Sequence, residues 1–285
     1  MKPPELIAFR DAASASVAEQ AASAFRMNAG IVLRVSYIPG GRRLSRWGRL
    51  LEALGHGGRS MALCWADELP PALPEGISVI AVLRRGRRNA CMVSRSGYTR
   101  IPSHSSVVCS SRLLRAQLLR ARRDIDARMS DLPAGRLLSR VDGGLIAGAL
   151  VPCHEMELSH YVPSPGNAAH LMPLPHFVPC PGQAAACILS GDIEFGERLA
   201  SVLNDPETAA EVEKELSLGL ALSRIHSLRG MLHGASVSAF GTGYRVYLQA
   251  LSPDGTGELR SVLDRGRDFI PSDAAASFAE RGGSV

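Results

Sequence analysis

Arginine is the residue type that first suggests chemistry in this sequence. Of its 32 basic residues only Lys2 and Lys214 are lysine. A guanidinium grips a carboxylate or phosphate with two parallel N–H donors, which an ammonium cannot do. The excess has two readings, recognition of multiply charged anions and a GC-rich coding bias, and the two can coexist. Ser110-Ser111 stands immediately before Arg112-Leu113-Leu114-Arg115. Serine there caps a helix, and the free N–H groups of the first turn attract a carboxylate. Arg112 and Arg115 are three apart and so share a helix face. Cys153, His154, His160, His170, His176 and Cys180 are possible zinc ligands. Their spacings match no common zinc pattern and prolines flank them, so no metal is expected. The six cysteines form no C-x-x-C pair and are too sparse for a disulfide scaffold. A reducing cytoplasm fits that usage.

The elements that must position these residues read as alternating. Ala13 to Arg26 is alanine-rich and helical, and Ile31 to Ile38, bounded by Gly30 and Pro39-Gly40-Gly41, is β-branched and extended. Trp47 to Leu54 is a short helix closed by Gly55 and Gly57-Gly58. Met61 to Trp65 and Ile77 to Leu83 are further strands, separated by a loop from Pro70 to Gly76. Strand–helix–strand alternation predicts an α/β unit with parallel pairing. In a second unit, Ser105 to Cys109 is a strand, Ser110 to Leu119 starts a helix, and Leu145 to Val151 is a strand. The seven prolines between Pro152 and Pro181 predict irregular backbone between units. Asn204-Asp205-Pro206-Glu207 is the strongest helix start in the chain, with Ala209, Val212, Leu216 and Leu220 following at helical spacing. Val237 to Phe240 and Tyr244 to Leu251 form a hairpin, with Pro253-Asp254-Gly255 as the next turn.

Composition narrows the class. The 285 residues have room for two or three domains. A hydrophobic content of 46% with 21% charged residues excludes wholesale disorder. No apolar run approaches the roughly 20 residues of a membrane helix. Met1-Lys2-Pro3-Pro4-Glu5 lacks the basic-then-apolar order of a secretory signal. A net charge of +5 favours anionic ligands. No basic helix is interleaved with aromatics, which argues against nucleic acid.

Several segments together resemble a known family. They are Pro70-Pro71-Ala72-Leu73-Pro74-Glu75-Gly76, Val82-Leu83-Arg84-Arg85-Gly86 and Val93-Ser94, then Cys109-Ser110-Ser111 with Ala116-Gln117-Leu118-Leu119. Pro181-Gly182-Gln183-Ala184-Ala185, Leu203-Asn204-Asp205-Pro206-Glu207-Thr208 and Ser252-Pro253-Asp254-Gly255 follow. In this order they resemble the porphobilinogen deaminases, also called hydroxymethylbilane synthases. Each match is weak alone, and their collinearity is specific. The resemblance implies an α/β fold with two periplasmic-binding-protein-like α/β domains plus a small C-terminal α+β domain. It places them at 1–83 with 183–199, at 84–182 and at 200–285. It implies a cytoplasmic, monomeric transferase that joins four porphobilinogen units on a dipyrromethane primer and releases ammonia.

Carried over residue by residue, the resemblance is uneven. Cys64-Trp65-Ala66-Asp67-Glu68-Leu69-Pro70 stands where the family has H-S-L-K-D-V-P. Its catalytic aspartate therefore falls on Glu68, and its neighbouring lysine on Asp67. Arg10, Ser110 and Ser111 fall on residues that bind substrate or cofactor carboxylates, and Gln183 on an interdomain hinge. The family's paired arginines fall on Leu113 and Leu114; Arg112 and Arg115 either take over their role or solvate the helix. The glycine- and lysine-rich active-site loop is deleted between Ile38 and Trp47. No cysteine follows Cys187, and the cofactor-attachment position falls at or near His226. Covalent dipyrromethane is therefore not expected. A catalytically decayed homologue and a two-lobed anion-binding module are the alternatives.

Overall fold

A computed structural model describes residues 4–39, 43–55, 60–95, 97–192, 194–196 and 202–282. Its chain divides into two compact units, Met1–Gly86 with Ala184–Ala210, and Arg87–Gln183 with Glu211–Val285. The C-terminal sheet groups with the second unit.

The first unit is an α/β sheet. Its strands are β1 (Glu5–Phe9), β2 (Arg34–Ile38), β3 (Ser60–Trp65), β4 (Ser78–Val82) and β10 (Ala186–Ser190), ordered β2-β1-β3-β10-β4. β1 runs parallel to β2 and β3, while β10 is antiparallel to both β3 and β4. The pairing is therefore mixed, not wholly parallel as the alternation predicted. Asp11 caps α1 (Ala12–Ala29) by accepting the Ser14 N–H at 2.8 Å. Ser14, Ala18, Ala21 and Phe25 make its buried stripe, and Gly30 ends it at φ 66°. The strand expected from Ile31 begins only at Arg34, opposite Glu5, the first residue of β1. Earlier residues have no partner in β1, and Val32 is exposed. Helix α2 (Arg43–Gly55) starts before the predicted Trp47. The expected closure at Gly57-Gly58 lies outside the described residues. So do residues 40–42 of the expected loop deletion and 193 and 197–199 of the expected return segment.

The L-N-D-P-E-T segment has a structural role in this unit. The Val82 N–H donates to Asn204 Oδ1 at 2.9 Å, and Asp205 N–H donates back to Val82 O at 2.8 Å. Asp205 Oδ1 accepts the Thr208 N–H at 2.8 Å. The segment thus clamps the end of β4 while starting α6 (Pro206–Arg224), whose first turn belongs to this unit.

In the second unit, β5 (Ala90–Ser94), β6 (Ser106–Cys109), β7 (Asp126–Met129), β8 (Gly148–Pro152) and β9 (Ala168–Leu171) form a sheet ordered β7-β6-β8-β5-β9. β6 is parallel to β7 and β8, and β5 is antiparallel to β8 and β9. This is the topology of the first sheet, with β5 in the place of β10. Helices α3 (Arg112–Ala121) and α4 (Ala134–Asp142) contribute Leu114, Leu118, Leu137 and Leu138 to its core. The strand predicted from Leu145 starts at Gly148, because Leu145 is exposed beyond the turn at Gly143-Gly144. The proline-rich stretch is more regular than predicted: it holds the short helix α5 (Cys153–Leu158) and the edge strand β9. A meander of β11 (Leu232–Phe240), β12 (Gly243–Leu251) and β13 (Glu258–Arg265) follows, with α7 (Pro271–Gly282). Val237, Val246, Leu248, Leu263, Leu222 and Phe278 build its core.

Candidate functional site

In open α/β sheets, ligands bind outside the carboxyl ends of the parallel strands. In the first unit those ends carry two of the sequence-predicted residues. β1 finishes at Phe9 and leads into Arg10 and Asp11. Its parallel neighbour β3 finishes at Trp65 and leads into the 3-10 turn Ala66–Glu68. The turn is held by the Ala66 N–H donating to Ala185 O at 2.9 Å and the Leu69 N–H donating to Ala66 O at 3.2 Å.

Glu68 is not a solvated loop carboxylate. Its side chain is 10% exposed, and Oε1 lies 3.3 Å from Arg46 Nη1. The same guanidinium places Nη2 2.7 Å from Asp11 Oδ2, and its Cζ lies over the Phe9 ring, 4.1 Å from the centre. Asp11 is itself fixed as the α1 cap and also accepts the Ser14 hydroxyl at 3.0 Å. Arg46 and Asp11 were not singled out in the sequence. Asp11 carried a signal, an acidic cap before an alanine-rich helix. Arg46 carried none, being one of several arginines in its segment. Arg10 is exposed, uses its backbone N–H on Ile38 O at 2.9 Å, and forms no ion pair among the described residues.

Beneath this edge Cys64 and Cys187 face each other across β3 and β10. Burial pushes the Cys64 thiol well up, and Cys187, Glu68 and Asp67 push it the same way. Burial takes Cys187 up to about 12. Neither is a ready thiolate nucleophile.

The second unit places its candidates at the equivalent edge. β6 finishes at Cys109 and leads into Ser110 and Ser111. Ser111 caps α3, its hydroxyl accepting the Leu114 N–H at 3.2 Å. The Ser110 N–H donates to Leu150 O at 3.1 Å, and its buried hydroxyl has no partner among the described residues. Arg112 is exposed. Arg115 donates from Nε to Ala127 O at 2.9 Å and from Nη1 to Pro253 O at 3.4 Å. The two arginines therefore behave differently despite their spacing, and Arg115 is tied to backbone carbonyls. Leu113 and Leu114, where the resembled family has arginines, are buried core residues. Cys109 is pushed up to about 12 by burial.

Gln183 is buried, and its amide donates to Arg88 O at 2.7 Å. Ala184 takes φ 67° in the first unit. That left-handed conformation costs an alanine roughly 1 kcal/mol. His226 is exposed in the 3-10 turn His226–Leu228 after α6. Among the described residues no three His, Cys, Asp or Glu side chains gather as a metal-holding group. Nor is any described helix long and apolar enough to cross a membrane.

No protein-family model matches this chain. A porphobilinogen deaminase from Rubrobacter xylanophilus is 29% identical over 255 residues, which cover 82% of this chain and 76% of that protein. Among solved structures, the methionine-binding protein MetQ is 13% identical, covering 76% of this chain and 95% of its own, at a TM-score of 0.46. A nutrient-binding protein from Burkholderia cenocepacia bound to methionine is 12% identical, covering 72% and 93%, also at 0.46. At these scores the structural likenesses carry no argument about a ligand.

Proposed function

We propose that this chain is a hydroxymethylbilane synthase-like transferase that polymerises porphobilinogen into a linear tetrapyrrole with release of ammonia. The observation that carries the reading is Glu68. It is a carboxylate fixed at the carboxyl edge of a parallel pair, in a chain collinear with a porphobilinogen deaminase. Porphobilinogen bears acetate and propionate, and loss of its ammonia leaves a cationic azafulvene. Glu68 is placed to stabilise that cation and to accept a pyrrole N–H. Arg10, Arg112, Ser110, Ser111 and the first N–H groups of α3 are proposed to take the carboxylates. Arg115 is proposed to act through the backbone that it braces in the second unit, and Gln183 is the proposed hinge residue. The three-domain division, the monomer and the cytoplasmic location belong to the same reading.

The residues do not fit a covalently held dipyrromethane. A thioether needs a nucleophilic thiolate, and no cysteine follows Cys187. The exposed His226 stands at or near the attachment position. No step is therefore assigned to a bound primer, and a weak or distributive enzyme is the expected form. The missing thiol also favours a second reading, a two-lobed anion-binding module or decayed homologue without turnover. Porphobilinogen turnover by wild type and Glu68→Gln separates them. The transferase reading expects product from wild type and a loss of about a hundredfold or more in the variant, the scale of removing a preorganised charge. Binding of porphobilinogen without turnover in wild type supports the module.

A further inference from the structure

We infer that Arg46 is the positioning residue for Glu68, an inference that rests on the reading of Glu68 proposed above. The carboxylate stands on a side chain one methylene longer than the aspartate it replaces, and the extra torsion must be restrained to aim it. Arg46 supplies that restraint from α2, a different element. One arm of its fork meets Glu68 at 3.3 Å and the other meets Asp11 at 2.7 Å. The guanidinium carbon Cζ lies over the Phe9 ring, 4.1 Å from its centre. Asp11 is held in turn by the Ser14 N–H and hydroxyl, at 2.8 and 3.0 Å. The α1 cap, Asp11, Arg46 and Glu68 thus form one chain of contacts ending on the proposed reactive carboxylate.

Two carboxylates, Asp11 and Glu68, share the Arg46 guanidinium. The resembled family has a lysine beside its catalytic aspartate, where this chain has Asp67. Here a cation, Arg46, reaches Glu68 from α2 instead. With its side chain only 16% exposed, the pair is screened less than a surface ion pair. A lysine at position 46 would keep the charge but not the fork.

The test is porphobilinogen turnover by wild type, Arg46→Ala, Arg46→Lys and Glu68→Gln, with thermal unfolding of each. Arg46→Ala is expected to lower kcat by about 10- to 100-fold, the cost of a misplaced reactive group, with KM within about threefold. Arg46→Lys should recover part of that loss. Added guanidinium ion should partly restore Arg46→Ala and leave Glu68→Gln unchanged, which a merely structural role would not produce. Wild-type kcat in Arg46→Ala overturns the inference alone. So does a loss that neither lysine nor guanidinium relieves. A wild-type protein that makes no tetrapyrrole overturns the functional reading itself, and this inference falls with it.

Discussion

Burial pushes the Cys109 and Cys187 thiols up to about 12, and Cys64 also moves well up. A thiol whose value is higher in the folded than in the unfolded chain binds its proton more tightly when folded. Its stabilisation is therefore complete below the ordinary thiol range and is lost as pH rises toward about 12. The urea midpoint should hold steady around neutrality and fall on going from about pH 8 to about pH 10. A flat midpoint would contradict the burial of these protons. In the native protein a thiol reagent should reach Cys180, the half-buried one, ahead of the other five. At this scale the sequence was partly legible. Glu68, Ser110 and Ser111 were singled out by collinearity, and the structure puts them just past the ends of β3 and β6. Arg46 was hidden because a useful arginine looks like its neighbours Arg43 and Arg49 until the fold brings Asp11 and Glu68 to it.

At the scale of elements, the start of α6 shows why a motif can be structural. Asp205 is held below the usual carboxylate range, first by the Thr208 N–H and then by its hydroxyl. A depressed carboxylate stabilises the fold above its unfolded value, and that contribution is lost as pH falls through the folded value. Asp205→Ala should cost about 1 kcal/mol in urea unfolding, the usual worth of an N-cap. Asp205→Asn should cost far less, because asparagine caps as well. Equal losses in both variants would mean that the charge, not the cap, matters. This start was legible because cap, proline and carboxylate are local signals. β9 was not legible: Ala168-Ala169-His170-Leu171 has no β-branched residue and is paired on one side, to β5. The predicted start of β2 at Ile31 failed for a related reason, since pairing begins only where β1 offers a partner.

For the whole molecule, the two five-stranded sheets share one topology, each with a single antiparallel strand inserted before its edge. Alternation in the sequence revealed β2, β3, β4, β6 and β8, but not β1 or β7. The antiparallel insertion was hidden because it depends on where the chain crosses. In the second unit a buried network secures the residues flanking that crossing. Glu215 is fully buried and accepts the Gly182 and Val237 N–H groups at 2.8 Å each. Arg88 approaches it at 3.6 Å and pairs with Glu211 at 2.7 Å. Glu215→Ala leaves Arg88 short of a partner and two N–H groups unmet, and should cost about 3–5 kcal/mol in urea unfolding. A cost under about 1 kcal/mol would show that the network is incidental.

The central claim is a porphobilinogen-polymerising fold that works without a thioether to a primer. The most direct measurement incubates the purified chain with porphobilinogen and follows released hydroxymethylbilane, with the acid-denatured protein weighed from the same sample. The account predicts slow product release from a protein of unchanged mass. No product at all, or a stable dipyrromethane adduct within residues 204–285, would contradict it.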